Sequence, residues 1–118
     1  MINTWNDIPT TVDAESGPIR ADEFTDEQLL LTYRMTGRPE LFETLVHRYE
    51  RELFNYLRRY LADSEMEEDA FQTTFLQVHL KSDQFQQGRR VRPWLYTIAT
   101  NQAIDAQRRN RRHQLVSL

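Results

Sequence analysis

The chain has 118 residues, 39% of them hydrophobic, which is enough for one domain with a modest core. It contains no cysteine, which excludes a disulfide framework and a thiolate metal site and fits a reducing cytoplasm. The net charge of −3 conceals an asymmetry, because residues 79–118 carry eight Lys and Arg against two Asp, whereas residues 1–78 carry seven basic and sixteen acidic residues. This asymmetry indicates one end that meets a polyanion, although a solvated, arginine-rich terminal helix explains it about as well.

Residues 1–24 carry Pro9, Gly17 and Pro18, several acidic residues and little apolar periodicity. We interpret them as a flexible acidic tail. They lack the basic segment and the apolar core of a signal peptide. No apolar run in the chain approaches the roughly 20 residues that span a bilayer, so we expect no membrane insertion.

Two helices are predicted after the tail. Residues Thr25 to Gln28 have the form of a capping box, which predicts a short helix that ends at Gly37. Pro39 then opens a long helix to about Leu61, along which apolar residues recur at three- and four-residue steps.

Two further helices complete the predicted fold. A second capping box, Ser64 with Glu67, begins a helix that ends near Lys81. A polar loop follows, and the last helix begins at Pro93, apolar and aromatic at first and rich in arginine at its end. Because no segment alternates apolar and polar residues, we predict an all-α, compact domain of a short first helix and three longer helices. The expected core contains Phe42, Leu45, Tyr49, Leu53, Phe71, Phe75, Leu95 and Ile98, with Leu29, Leu30, Tyr33, Met35 and Leu76 as further candidates.

Enzyme motifs are absent from the sequence. It has no Gly-rich phosphate loop, no cysteine nucleophile, no HExxH and no GxSxG. Glu43 and His47 have the spacing of two metal ligands on a helix, but no second pair accompanies them. We therefore expect no catalysis, no metal and no cofactor.

The arginine-rich end suits a nucleic acid. Arginines neutralise phosphates, and neighbouring aromatic rings stack on unpaired bases. Trp94 lies close to Arg92, and the amide of Asn101 can make two hydrogen bonds to one base edge. Trp94 also suits the core, which is the commoner place for a large apolar side chain in a small helical domain.

A family resemblance joins these features. Residues 69–76 (DAFQTTFL), Phe85, residues 92–101 (RPWLYTIATN), Asp105 and Arg108-Arg109 together resemble region 2 of bacterial sigma factors, most closely the extracytoplasmic-function (ECF) group. Residues 26–30 and 41–49 fit the same pattern. The resemblance extends over about residues 25–112, and its specificity lies in the combination of motifs. It implies a sigma region 2-like helical domain over residues 25–113, with the start of a linker or a C-terminal tail over residues 114–118.

The resemblance implies two partners. An acidic helix start followed by a glutamine docks on the β′ clamp helices of core RNA polymerase, and here that segment corresponds to Glu68, Asp69 and Gln72, with Phe75 nearby. Thr73 stands where the family usually has an acid. The loop and the last helix bind promoter DNA, namely the single-stranded non-template strand of the −10 element, and the loop captures an unpaired base. The residues that correspond to this role are Gln86, Gln87, Gly88, Arg89, Arg90, Arg92, Trp94, Asn101, Arg108, Arg109 and Arg112.

We therefore expect the −10 recognition and strand-opening domain of an ECF-type sigma factor, which directs transcription initiation in the cytoplasm. Two alternatives stay open: a helical nucleic-acid-binding protein that acts without polymerase, and a protein-interaction module bound by an anti-sigma-type partner. ECF sigma factors also have a second helical domain that recognises the −35 element. This chain ends where the linker to that domain would begin, so it is either one domain of a longer protein or a short gene product, and its end just past the helix resembles a truncation.

Overall fold

The structure, a computed structural model, describes residues 20–117. All regular structure within that range is helical, which confirms the predicted all-α fold of one short helix and three longer ones. The predicted acidic tail lies outside the described residues as far as residue 19. The helices are α1 (Asp26–Thr36), α2 (Pro39–Leu57), α3 (Ser64–Leu80) and α4 (Val91–Ser117), with short 3-10 turns at Ala21–Glu23 and Ser82–Gln84.

Local sequence signals set both ends of α1. The hydroxyl of Thr25 accepts a hydrogen bond from the backbone N–H of Gln28 at 3.1 Å, and the Gln28 side chain accepts one from the N–H of Thr25 at 2.9 Å. At the other end Gly37 has φ of 70°, and its N–H donates to the carbonyl of Tyr33. Glycine adopts this left-handed conformation without a Cβ clash. The predicted capping box and stop are confirmed.

The chain enters α1 through an ordered turn, so the predicted tail boundary at residue 24 is wrong. Ala21 is only 8% exposed. Nη2 of Arg48 donates to the carbonyls of Ala21 at 3.3 Å and Asp22 at 3.2 Å, while its Nη1 donates to the carboxylate of Asp26 at 2.9 Å. One guanidinium group from α2 therefore holds the segment before α1 against the domain.

The end of α2 was also predicted too late. The helix stops at Leu57 instead of continuing to Leu61. The N–H groups of Arg59 and Tyr60 donate to carbonyls three residues earlier, at 3.2 and 3.0 Å, and this tighter pattern converts the chain into turns. Leu61 nevertheless remains buried in the core.

The N-cap of α3 is Asp63, not the predicted Ser64. The carboxylate of Asp63 accepts a hydrogen bond from the N–H of Met66 at 2.8 Å. Glu67, predicted to complete a box with Ser64, lies 3.4 Å from Nε of Arg58 instead. Both Asp63 and Ser64 have side chains that can cap this helix, and the side chain of Asp63 does so.

The last helix starts two residues before Pro93, at Val91, and includes residues 114–117, which were predicted to begin a linker or tail. The start is fixed by a contact from α1: the N–H of Val91 donates to a carboxylate oxygen of Glu27 at 2.8 Å. A carboxylate at a helix N-terminus also stabilises the helix dipole. Pro93 still lies in the first turn, where its missing N–H costs nothing.

The four helices enclose one hydrophobic core. Phe42 and Phe71 are half-buried at its edge, and Tyr33 packs there with them. Met35 and Leu76 are exposed, contrary to expectation, because Met35 lies in the last turn of α1 and Leu76 lies on the outward face of α3. None of the helices within residues 20–117 is long and apolar enough to cross a membrane. The predicted core residues that the structure buries are Leu29, Leu30, Leu45, Tyr49, Leu53, Phe75, Leu95 and Ile98.

Candidate functional site

Helix α3 presents an acidic face to solvent. Glu68, Asp69 and Gln72 are all exposed, which is the position that binding to a partner requires. The amide of Gln72 donates to Glu68 at 3.4 Å, and the hydroxyl of Thr73 donates to the carbonyl of Asp69 at 2.9 Å. These three exposed residues, which we call the α3 acidic face, therefore lie together on the outer side of the helix.

Phe75 lies beneath the α3 acidic face. Its side chain is 6% exposed, and its ring meets Phe42 edge-on at 6.1 Å and Phe71 in a tilted contact at 5.2 Å between ring centroids. Phe71 in turn stacks on Phe54 of α2 at 4.2 Å. The resemblance groups Phe75 with the partner-binding residues, and in the structure its ring belongs to the core that supports them.

The loop between α3 and α4 is anchored from α1. Nη1 of Arg34 donates to the carbonyls of Ser82 at 3.1 Å and Phe85 at 2.7 Å. Phe85 is buried, and its ring packs edge-on against Trp94 at 5.0 Å. Gly88 has φ of 93°, which only glycine adopts readily.

This anchoring leaves the tip of the loop at the surface. Gln86, Gly88, Arg89 and Arg90 are exposed, and Gln87 is partly exposed. Nε of Arg89 donates to the side-chain oxygen of Gln86 at 3.1 Å. Trp94 is half-buried, and the buried part of its side chain packs against the core.

A glutamate from α2 holds the first turns of α4. A carboxylate oxygen of Glu52 accepts hydrogen bonds from the guanidinium of Arg92 and, at 2.8 Å, from the hydroxyl of Tyr96. The Arg92 guanidinium also lies over the ring of Tyr49, 4.9 Å from its centroid. Burial, and then the hydrogen bond to Glu52, raises the pKa of Tyr96 to about 12. Arg92 is thus fixed in position while 60% of its side chain remains exposed.

A shallow groove follows the outer side of α4 from Pro93 to Asn101, lined also by Tyr96, Thr97 and Thr100; we call it the α4 groove. The hydroxyls of Thr97 and Thr100 donate to carbonyls one turn earlier, at 3.0 and 2.8 Å. Within residues 20–117 the side-chain amide of Asn101 makes no hydrogen bond and is exposed, so its donor and acceptor are both available to a ligand. The lining contains no charged residue.

The end of α4 carries the arginines predicted to meet phosphates. Arg108 and Arg112 are exposed, as is Arg111. Arg109 differs, because its Nη2 lies 3.5 Å from Asp69 on α3 and its Nε lies 4.0 Å from Asp105 on α4. A predicted DNA-binding residue is therefore paired with a residue of the α3 acidic face.

Sequence reasoning missed the residues that position the site. Arg34 holds the loop, Glu52 holds Arg92 and Tyr96, and Glu27 caps α4. Of these three residues, only Glu52 had a sequence pattern that indicated a positioning role, since it is a charged residue next to the apolar stripe of α2. His47 and Glu43, which have metal-ligand spacing, belong to no cluster of three possible ligands within the described residues.

Comparisons with known proteins agree with this geometry. Residues 45–113 match the family model described as sigma-70 region 2. The chain is 37% identical over 75 residues to the RNA polymerase sigma factor CarQ of Myxococcus xanthus. This match covers 64% of this chain and 43% of that protein. It is 30% identical over 96 residues to the ECF RNA polymerase sigma factor SigM of Mycobacterium tuberculosis, covering 81% of this chain and 48% of that protein. The chain thus spans less than half the length of these curated relatives.

A solved structure has the same fold. It is an engineered region 2 of sigmaE in complex with GTAAAA, which matches with a TM-score of 0.70 and 28% sequence identity. The match covers 78% of this chain and 95% of that one. Because the family model covers more than half of the sequence, and because the relatives include ECF sigma factors, this chain belongs to the sigma-70 region 2 family as a region 2 domain of the ECF group.

Proposed function

We propose that this domain recognises the −10 element of a promoter as single-stranded non-template DNA and docks on core RNA polymerase to direct transcription initiation. One observation carries the proposal: Arg92, the uncharged α4 groove and the unpaired amide of Asn101 form a fixed, exposed row on α4. A relative of the same fold was solved in complex with the oligonucleotide GTAAAA.

The residues of the row and its surroundings have distinct tasks in this proposal. The loop residues Gln86 to Arg90 capture an unpaired base, and their contacts with that base offset the few kcal/mol that unstacking costs. The amide of Asn101 makes hydrogen bonds to a base edge, which distinguishes one base from another. Arg108 and Arg112 neutralise phosphates, which are alike in every sequence.

The α3 acidic face supports the docking part of the proposal. Exposed carboxylates attract a basic partner surface, and such complementarity also orients the two proteins as they meet. We assign this face to the β′ clamp helices of core polymerase. Thr73 supplies a hydroxyl where the family usually supplies a further carboxylate, so this interface has one charge fewer on the sigma side.

Further parts of the assignment follow from the family. We infer a regulatory role without catalysis, exerted in the cytoplasm, where RNA polymerase transcribes. We assign the function to residues 21–113. An anti-sigma-type partner would act by covering the α3 acidic face or the row on α4.

Selection from random single-stranded oligonucleotides, with and without core polymerase, tests this proposal. Enrichment of one −10-like motif that requires core polymerase, together with direct binding of the chain to core, is the expected result. Sequence-selective binding to DNA without any binding to core would instead support a nucleic-acid-binding protein that acts alone. Failure to bind either one would leave the protein-interaction module as the better assignment.

A further inference from the structure

Two arginines of the α2 segment have no part in the surfaces described so far. Arg51 lies in α2, and Arg59 lies in the turn that follows it. Both side chains are exposed, and within residues 20–117 neither forms an ion pair or a side-chain hydrogen bond. By contrast, Arg48 is bound to Asp26, and Arg58 is bound to Glu67.

Arg59 lies in the turn after α2, between two residues in the chain, Tyr56 and Tyr60, that both contact α4. Tyr56 precedes Arg59 by one turn, and its hydroxyl lies 2.6 Å from the hydroxyl of Thr100 in the groove lining. Tyr60 directly follows Arg59, and its backbone carbonyl accepts a hydrogen bond from the side chain of Gln107 on α4. Hydrogen bonds to Thr100 and Tyr60, and to a smaller extent the positive charge of Arg59, lower the pKa of Tyr56. The contacts of Tyr56 and Tyr60 thus place Arg59 at the junction between α2 and α4.

Arg51 faces elsewhere. It lines a separate polar groove with His47, Phe54 and Arg58. Phe54 stacks on Phe71 of α3, which places this groove on the α3 side of α2. The two arginines thus have the same charge and are both exposed, but Arg59 lies near α4 whereas Arg51 lies on the side of α2 near α3.

We propose that Arg59 binds a phosphate of the same DNA strand whose base Asn101 recognises, so that the DNA interface crosses the α4 groove onto the end of α2. The inference rests on the proposed function and adds a residue to its DNA site. A strand in the groove meets no carboxylate in the lining, and the exposed part of Arg92 lies at the beginning of the row. Arg59 lies outside the lining, one turn after Tyr56, whose hydroxyl contacts Thr100 of the groove. An unpaired arginine at this place is complementary to an anion.

The test is a salt titration of a labelled single-stranded −10 oligonucleotide binding to the full chain with core polymerase present. Removing one arginine that neutralises a phosphate of a single strand lowers the log–log salt slope by about 0.7. We expect Arg59→Ala to produce this decrease and a severalfold loss of affinity, and Arg51→Ala to produce neither. Arg59→Lys should keep the slope, because it keeps the charge.

Other outcomes overturn the inference. A slope for Arg59→Ala equal to that of the parent chain, with a decrease for Arg108→Ala, would refute the role of Arg59 and leave the proposed function intact. No change for Arg108→Ala or Asn101→Ala would refute the proposed DNA site itself. Weaker binding of Arg59→Ala to core polymerase without DNA would assign Arg59 to a protein interface instead. Thermal unfolding of each variant provides the folding control.

Discussion

Arg109 of α4 and Asp69 of α3 form an ion pair, with 3.5 Å between Nη2 and Oδ2. The first residue belongs to the proposed DNA surface and the second to the proposed polymerase surface, so one contact joins the two. Their side chains are 48% and 58% exposed, which limits the pair to about 0–1 kcal/mol. Neutralising either side chain removes this ion pair, and the charge of the other side chain is then free to interact with DNA or with polymerase.

Asp69→Asn should therefore have opposite effects on the two partners. It removes a carboxylate from the α3 acidic face, so binding to core polymerase should weaken. It also releases Arg109, so binding of the chain alone to single-stranded DNA should strengthen, by at most about fivefold for an exposed pair. Asp105→Asn is the matched control, since it frees Arg109 from its second partner and leaves the α3 acidic face unchanged. Weaker DNA binding by Asp69→Asn would contradict the coupling.

The docking surface should respond to charge at position 73. Thr73→Glu restores the acid that the family usually has after Gln72, and we expect it to strengthen binding to core polymerase. Gln72→Ala should weaken that binding without lowering the thermal midpoint, because Gln72 is exposed. Surface plasmon resonance against immobilised core, at two salt concentrations, measures both changes. An unchanged affinity in both variants would remove this face from the interface.

Specificity and affinity should separate along α4. Asn101→Ala should reduce the preference for the −10 strand over a scrambled strand, since it removes two possible hydrogen bonds to a base edge. Arg108→Ala should weaken binding to both strands equally. It should also lower the slope of log binding constant against log salt concentration by about 0.7. Arg109→Ala should lower the slope by less, because Asp69 and Asp105 already hold that guanidinium. A loss of discrimination in Arg108→Ala but not in Asn101→Ala would reverse the two assignments.

The two phenylalanines on α3 should differ in their contribution to stability. Phe75 is buried in the core, and we expect Phe75→Ala to cost about 3–5 kcal/mol of unfolding free energy. Phe71 was predicted to be equally buried, but it is half-buried and stacks on Phe54, so Phe71→Ala should cost about 1–3 kcal/mol. Urea denaturation of both variants gives the comparison. A larger loss for Phe71→Ala would show that the stacked pair stabilises the domain more than its burial indicates.

The sequence predicted the features that neighbouring residues determine. Thr25 with Gln28, and Gly37, fix the ends of α1 through contacts within a few residues, and such contacts leave a pattern in the chain. The start of α4 could not be predicted in this way, because its cap comes from Glu27 on another helix. The exposure of Asn101 was likewise predictable from helical spacing.

The electrostatics of the candidate site depended on contacts that no local pattern reveals. Arg92 and Arg109 look alike in the sequence, as basic residues near or on one helix. In the structure Arg92 is held by Glu52 from α2, and Arg109 is held by Asp69 from α3. Which arginines are available to phosphate is thus a property of helix packing.

Glu52 offers the last prediction, because one carboxylate holds both Arg92 and Tyr96. We expect Glu52→Gln to lower the pKa of Tyr96 from about 12, since the negative charge and the strong acceptor that favour the neutral phenol are removed. Part of the increase should remain, because burial is its largest cause. The ultraviolet absorbance of the phenolate, followed during a pH titration, measures the change, and Tyr96→Phe identifies which transition belongs to this residue.

The same substitution should change pH-dependent stability and DNA recognition together. A phenol whose folded-state pKa is raised stabilises the fold below its unfolded pKa of about 10, and this contribution is lost as pH rises towards about 12. In Glu52→Gln the loss should still begin near pH 10, but it should end at a lower pH and be smaller in total. Arg92 should also lose its fixed position, so discrimination between −10 and scrambled strands should fall, while affinity for the scrambled strand rises because a negative charge beside the α4 groove has gone. Unchanged discrimination, with a lowered Tyr96 pKa, would show that Glu52 positions the tyrosine and not the arginine.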